Sequence, residues 1–115
     1  MKTLLSLVIA AVLSIGSLFA QETIAETTFW VRGNCPSCEK RIEKTLKKID
    51  GVQEAEWDQE SGNVKVTYDS AQTNQESMEK AVAAVGHATK EHKADQVVHD
   101  KLPKCCREGY DKHHD

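Results

Sequence analysis

The sequence predicts an α+β fold whose elements follow the order strand, helix, strand, strand, helix, strand. Two segments, residues 36–48 and 78–85, place apolar side chains at helical spacings of three and four. Short runs rich in β-branched or alternating apolar residues flank them, and a Glu-Ser-Gly-Asn turn at residues 60–63 joins two of these runs. This order predicts a ferredoxin-like βαββαβ arrangement, in which a four-stranded antiparallel sheet carries both helices on one face.

Cap residues and glycines set the predicted element boundaries. Gly51 follows the first helix, where a glycine commonly ends a helix. Asn74 is a favourable N-cap for the second helix, and Gly86 ends that helix. The predicted helices cover residues 36–48 and the segment between Asn74 and Gly86, and the predicted strands cover residues 27–31, 52–59, 64–68 and 87–90.

The first 20 residues have the composition of a secretory signal peptide. Lys2 precedes an apolar stretch at residues 4–13, and small residues then lead to Ala20. The apolar stretch is shorter than the ~20 residues that a membrane-spanning helix needs. We therefore expect cleavage after Ala20, a periplasmic or secreted location, and no membrane insertion of the mature protein.

Net charge and motif content exclude several classes of function. The full chain has a formal charge of −3, and removal of the leader with Lys2 would make it −4. Such mild acidity gives no electrostatic reason to expect binding to nucleic acid or to an anionic membrane. We find no set of nucleophile, base and orienting residue, so we expect a binding protein and not an enzyme. We expect a monomer, with a metal-bridged dimer as the alternative.

Cys35 and Cys38 are the main candidate metal ligands. The proline between them suits the first position of a helix, which makes Cys35 the N-cap and Cys38 the third helical residue. These positions face each other, as in a capping box, so the two sulfurs should converge. The helix dipole and nearby Lys40 and Arg41 favour thiolates, which select soft ions such as Cu(I). Two ligands on an exposed loop suit linear or near-trigonal coordination better than a four-ligand structural zinc site.

A set of short motifs spread over residues 27–90 resembles a known family. The motifs are Val31-x-Gly33, Cys35-x-x-Cys38, Ile42-Glu43-x-x-Leu46, Gly51-Val52, Val64-x-Val66-x-Tyr68-Asp69 and Ala84-Val85-Gly86. They resemble the heavy-metal-associated domain family of copper chaperones, metal-ATPase N-terminal domains and periplasmic mercury-binding proteins. The resemblance implies a ferredoxin-like fold with one soft metal ion held by Cys35 and Cys38. It also implies transfer by ligand exchange to an acceptor such as a metal-transporting ATPase. Cu(I) is the expected ion, with Hg(II) and Zn(II) as alternatives.

The metal loop departs from the family pattern in two ways. Asn34 leads straight into Cys35, whereas the family usually has Gly-Met-x-Cys, so the loop is one residue shorter and lacks the bracing methionine. Many zinc-preferring members also place an aspartate before the first cysteine. Because Asn34 carries no charge, the sequence favours a monovalent ion.

His87 is a further candidate near the metal. In the family, the position after the glycine that ends the second helix lies beside the metal loop, and His87 occupies that position. Histidine is a borderline ligand whose charge changes near neutral pH. His87 is therefore either a ligand or neighbour of the metal, or a surface histidine at the start of a strand.

A polar lead-in at residues 21–26 precedes the domain, which is expected at residues 27–91. A polar, irregular tail at residues 92–115 follows it. The tail is rich in metal-binding residue types. These metal-binding residues are Cys105, Cys106, His92, His99, His113 and His114. Adjacent cysteines such as Cys105 and Cys106 rarely bond to each other, because the peptide between them would have to distort.

Three arrangements of the tail cysteines stay open at this point. Cys105 or Cys106 can complete the coordination of an ion on Cys35 and Cys38, or the pair can form its own site with the tail histidines. Alternatively, the pair can form disulfides with Cys35 and Cys38 in an oxidising compartment. For the whole protein, the alternatives to metal binding are a thiol–disulfide oxidoreductase and a domain that disulfides merely staple.

Overall fold

The computed structural model describes residues 23–107. The expected signal peptide at residues 1–20 lies outside the described residues, as do His113 and His114. The strands are β1 Ile24–Trp30, β2 Val52–Trp57 and β3 Asn63–Asp69. The helices are α1 Pro36–Lys47, α2 Gln75–Ala84, α3 Gln96–Asp100 and α4 Lys104–Arg107.

The three strands form an antiparallel sheet in the order β1-β3-β2. Val64 in the central strand lies opposite Phe29 on one side and Trp57 on the other. Val66, two residues further along β3, lies opposite Ala55 of β2. All five side chains are buried, and because side chains two residues apart share a face of a strand, they form one apolar face of the sheet.

Both long helices pack on this apolar face. The buried residues of α1 are Cys38, Ile42 and Leu46, which recur at a spacing of four and therefore lie on one side of the helix. Met78 and Val82 of α2 are likewise buried, and all of these side chains belong to one hydrophobic core with the sheet. The predicted α+β layering, with the two helices on one face, is confirmed.

The predicted fourth strand at residues 87–90 does not form, so the sheet within residues 23–107 has three strands. Thr89 makes a single antiparallel bridge to Val31, at the edge where a fourth strand would lie. The Thr89 backbone N–H donates to the carbonyl of His92 at 2.9 Å, and the His92 N–H donates to Oγ1 of Thr89 at 3.0 Å. This turn directs the chain away from β1 and prevents a longer ladder.

Residues 92–107 of the tail form defined elements where the sequence predicts a polar, irregular chain. Two short helices, α3 and α4, follow the turn, and both Leu102 and Cys106 are buried in the core of the domain. The first strand also begins earlier than predicted, at Ile24, because Ile24 pairs with Asp69 at the end of β3. None of the helices in residues 23–107 is long and apolar enough to cross a bilayer.

Candidate metal centre

The start of α1 brings the first two candidate ligands together. Cys35 is the N-cap, with φ −141° and ψ 169°, and Pro36 is the first helical residue, as predicted. The Cys38 backbone N–H donates to the Cys35 carbonyl at 2.9 Å, which folds the loop tightly around the helix start. The Cys35 side chain makes no capping hydrogen bond, and its Sγ lies 3.3 Å from Sγ of Cys38. The two sulfurs therefore face each other.

A tryptophan supports the shortened metal loop from below. Nε1 of Trp57 donates to the carbonyls of Val31 at 3.1 Å and Gly62 at 3.0 Å, which fixes the indole beneath the loop. A Cβ placed on Gly33 would lie 2.8 Å from Cζ2 of Trp57 and 3.1 Å from Cβ of Cys38. Only glycine fits this contact, so Gly33 allows the indole to pack directly against the metal loop.

The tail adds two more sulfurs to this centre. Sγ of Cys106 lies 3.5 Å from Sγ of Cys35, and Sγ of Cys105 lies 4.0 Å from Sγ of Cys106. The sulfurs of Cys35, Cys105 and Cys106 all lie within 4.8 Å of one another. Cys38 and Cys106 are fully buried and Cys35 is 8% exposed, whereas Cys105 is exposed. The loop is therefore not exposed as the sequence analysis assumed, because the tail covers it.

The thiols of Cys35, Cys38 and Cys105 differ in acidity. Burial raises the pKa of Cys35, but hydrogen bonds from Cys105, Cys38 and Cys106 outweigh it and lower this pKa to about 7. Burial, with the hydrogen bond to Cys106, holds the pKa of Cys38 far above its usual range. Donation to Cys35 raises the pKa of Cys105 to about 12. The low pKa of Cys35 therefore comes mainly from neighbouring thiols, together with the Cys38 backbone N–H at the helix start, and not from the charges of Lys40 and Arg41 that the sequence suggested.

Arg41, on the first turns of α1, connects the sulfur cluster to His87. Nη1 of Arg41 donates to Sγ of Cys106 at 3.3 Å and lies 3.4 Å from Nε2 of His87. One guanidinium nitrogen carries two hydrogens, so it can donate to both partners. The sequence identifies Arg41 as a nearby charge, but the contact with Cys106 depends on how the tail folds and leaves no signal in the sequence.

His87 is fully buried beside the sulfur cluster. Its Nδ1 lies 2.8 Å from the carbonyl of Arg32, and because a carbonyl only accepts, Nδ1 carries the proton and Nε2 accepts from Arg41. Burial, with the charges of Arg41 and His99, lowers the pKa of His87 to about 4, so the ring is neutral at physiological pH. His87 does not belong to the metal-capable cluster of residues 23–107, and its role as a ligand stays a prediction.

The described tail histidines contact backbone groups and not the sulfurs. Nδ1 of His99 lies 3.2 Å from the carbonyl of Gly86, and the backbone of His92 closes the turn with Thr89. Within residues 23–107, the candidate metal cluster contains cysteines alone. The described part of the tail thus places Cys105 and Cys106 with Cys35 and does not group them with His92 or His99.

Comparisons with known proteins agree with this fold. A model of the heavy-metal-associated domain matches residues 28–90. A copper chaperone, CopZ, from Staphylococcus saprophyticus is 34% identical over 68 residues, which cover 58% of this chain and 100% of the chaperone. A zinc-transporting ATPase from Synechocystis sp. is 34% identical over 61 residues, covering 53% of this chain and 8% of the ATPase.

A solved structure of a metal-ATPase domain is also similar to this chain. The N-terminal domain of a potential copper-translocating P-type ATPase from Bacillus subtilis, in its Cu(I)-loaded state, superposes with a TM-score of 0.55 and 31% identity. The match covers 58% of this chain and 85% of that domain. The matched family segment ends at residue 90, before Cys105 and Cys106. The matched segment spans more than half of the chain, so this chain belongs to the heavy-metal-associated domain family.

Proposed function

We propose that this protein is an exported carrier of Cu(I) that binds the ion through Cys35 and Cys38 and passes it on by ligand exchange. The observation that carries the proposal is the 3.3 Å approach of the two sulfurs at the start of α1. The low pKa of Cys35, about 7, provides one thiolate at neutral pH without a separate base. Soft thiolate ligands select monovalent copper over harder ions.

The choice of Cu(I) rests on the ligands and on the relatives. Among the relatives, one is named a copper chaperone and another is a Cu(I)-loaded domain of a potential copper-translocating ATPase. A zinc-transporting ATPase is also similar, so Zn(II) competes with Hg(II) as the alternative ion. Asn34 places no negative charge beside the sulfurs, which favours the monovalent ion. The acceptor is a second metal-binding protein, with metal-transporting ATPases as the first class to test.

A Cu(I) titration of the reduced mature chain tests this function. Under anaerobic conditions, competition against a chromogenic Cu(I) chelator should show one tightly bound ion per chain. Binding should be lost in Cys35→Ser and in Cys38→Ser, because each substitution removes one of the two paired thiolates. Ser37→Ala, in the same turn, is the matched control and should bind as the unaltered protein does.

Two results would contradict the proposal. The first is a reduced protein that binds Cu(I) no better than a variant with all four cysteines replaced. The second is binding that persists when both Cys35 and Cys38 are serine. If a protein of the first kind, once oxidised to a Cys35–Cys38 disulfide, converted a peptide dithiol into a disulfide while its own disulfide was reduced, it would instead be a thiol–disulfide oxidoreductase.

Export has its own test. The complete chain, expressed in a Gram-negative host, should appear in the periplasmic fraction with Gln21 as its first residue by intact mass. A product that keeps residues 1–20 in the cytoplasm would overturn the proposed location and would leave the metal-binding proposal standing.

A further inference from the structure

Cys106 is fully buried, although it lies in the polar tail. It lies on α4 with no exposed surface, in the same core as Cys35 and Cys38. Its Sγ approaches Sγ of Cys35 to 3.5 Å, and its thiol also interacts with that of Cys38. Cys105, the next residue, is exposed. The fold therefore distinguishes two adjacent cysteines that are equivalent in the sequence.

The tail is held in place by contacts with the end of α2 and the turn after it. The Asp95 N–H donates to the carbonyl of Ala83 at 2.9 Å, and Nδ1 of His99 lies 3.2 Å from the carbonyl of Gly86. A Cβ on Gly86 would lie 2.9 Å from Cδ1 of Leu102, which is itself buried. These contacts do not involve the sulfurs, so the position of Cys106 does not depend on sulfur–sulfur contacts alone.

One positive charge lies beside the sulfur of Cys106. Nη1 of Arg41 donates to Sγ of Cys106 at 3.3 Å. Three thiolates around one Cu(I) carry a net charge of −2, which a buried site must compensate. The guanidinium would supply part of this compensation at the sulfur that comes from the tail, because hydrogen bonds from an ionised donor are stronger than neutral ones.

We propose that the tail closes the metal centre, with Cys106 as the third thiolate ligand beside Cys35 and Cys38. This inference rests on the proposed Cu(I) function and specifies the coordination of the same ion. On binding, the thiols release their protons to solvent and no electron is transferred. The sulfur of Cys105 also lies within 4.8 Å of those of Cys35 and Cys106, but Cys105 is exposed, so the third position belongs to the buried sulfur of Cys106. Because Cys106 of α4 contacts the buried sulfur of Cys35, an acceptor protein would need the tail to move before it could reach that sulfur.

The test compares two adjacent cysteine variants in the full mature chain. With one equivalent of Cu(I) under anaerobic conditions, copper K-edge absorption should find three sulfurs in the unaltered protein and in Cys105→Ser, and two in Cys106→Ser. Removing even an outer-shell partner weakens metal binding by at least about 10-fold, so Cys106→Ser should lose that much affinity or more. Ser37→Ala leaves all four sulfurs in place, is the control, and should keep three sulfurs and its affinity. Two sulfurs in Cys105→Ser would instead assign the third ligand to Cys105.

A second variant leaves every cysteine in place. Leu102→Asp puts a charge into the contact with Gly86 and should detach α4, so copper should again be found with two sulfurs. Without metal, iodoacetamide should modify Cys106 more slowly than Cys105 in the unaltered protein, and at similar rates in Leu102→Asp. Alkylation reports the docking of the tail even where metal binding fails.

Three further results would overturn the inference. The first is a copper site with two sulfurs in the unaltered protein, and the second is the same number of sulfurs in Cys106→Ser as in the unaltered protein. The third is a site with three sulfurs that is found only in a dimer by size-exclusion chromatography, because the third ligand would then come from a second copy of the chain. In each of these three results, Cu(I) would still be bound through Cys35 and Cys38. If the proposed function itself were wrong, the unaltered protein would bind no Cu(I), so the two failures can be distinguished.

Discussion

Arg41 and His87 show how single residues adapt a family fold to a covered metal centre. His87 is neutral because it is buried beside a guanidinium, and its Nε2 serves as an acceptor for Arg41. Arg41 in turn directs its second hydrogen at Cys106. A protonated His87 would repel Arg41 and lose this acceptor, so the arrangement depends on the neutral ring.

The buried ring makes stability depend on pH. The usual pKa of histidine is 6.5, and in the folded protein the pKa of His87 is about 4. Between these values the unfolded chain binds a proton that the folded chain does not, so the unfolding free energy should fall as the pH falls from 6.5 to 4. The full loss is up to roughly 3 kcal/mol. Urea denaturation of the reduced, metal-free protein at a series of pH values measures it.

Two glutamine variants isolate the contribution of His87. His87→Gln should flatten the pH dependence over this interval, whatever its effect on stability at pH 7.5. His92→Gln replaces a partly exposed histidine of the tail and should keep the dependence of the unaltered protein. An equally steep decline in His87→Gln would show that other groups cause the loss.

The elements after α2 differ most from the sequence-based expectation. A single bridge between Val31 and Thr89 stands where a fourth strand was predicted, and the turn at Thr89 leads into α3 and α4. Asp95 is the N-cap of the short helix α3, and its side chain accepts from the Val98 N–H at 3.2 Å. A helix of five residues has little stability of its own, so this cap and the packing of the tail maintain it.

Removal of this cap should loosen the tail selectively. Asp95→Ala deletes the acceptor for the Val98 N–H, which is worth about 1 kcal/mol in a typical N-cap. We expect faster alkylation of Cys106 in the metal-free protein, because α4 should leave the core more often. Mass spectrometry after timed exposure to iodoacetamide measures the rate at each cysteine.

A second N-cap variant provides the comparison. Asn74 caps α2 by accepting from the Ser77 N–H at 2.8 Å, so Asn74→Ala removes a bond of the same kind elsewhere in the fold. It should lower the unfolding free energy by about 1 kcal/mol without a selective effect on Cys106. Equal acceleration in both variants would mean that Cys106 becomes accessible only by global unfolding.

At the scale of the whole molecule, the tail and the domain share one hydrophobic core. Leu102 and Cys106 lie in the same cluster as the buried residues of the sheet, α1 and α2. A bound ion would join the start of α1 to this core through the sulfurs. Metal binding and folding are coupled wherever the ligands come from separate parts of the chain, because the unfolded chain cannot present them together.

Cu(I) should therefore raise the melting temperature of the reduced protein. A free ligand at 100 times its dissociation constant adds about 2.7 kcal/mol to the unfolding free energy when only the folded state binds it. Thermal unfolding followed by circular dichroism, with and without one equivalent of Cu(I), measures the increase. Addition of excess chelator should reverse it, and Cys35→Ser should show no increase. A melting temperature that Cu(I) leaves unchanged would contradict the coupling.

The sequence by itself determined the features that depend on local periodicity and capping. Helices at Pro36–Lys47 and Gln75–Ala84, the antiparallel strands, and the facing positions of Cys35 and Cys38 all follow from spacings of two, three and four residues. The motifs between residues 27 and 90 also identified the family, which the matched segment confirms. Such features need only neighbours along the chain, so a pattern of residue types suffices to predict them.

Only the tertiary structure decided the features that depend on contacts between distant segments. Residue spacing left three arrangements open for Cys105 and Cys106, and the docking of Leu102 placed Cys106 beside Cys35 across 71 positions of the chain. The docked segment lies against the cysteines of the metal loop, which the sequence predicts to be exposed and which are buried. Long-range packing of this kind depends on shape and burial. It rests on a single leucine and a single arginine contact, which leave no periodic pattern in the sequence, so residue types alone do not predict it.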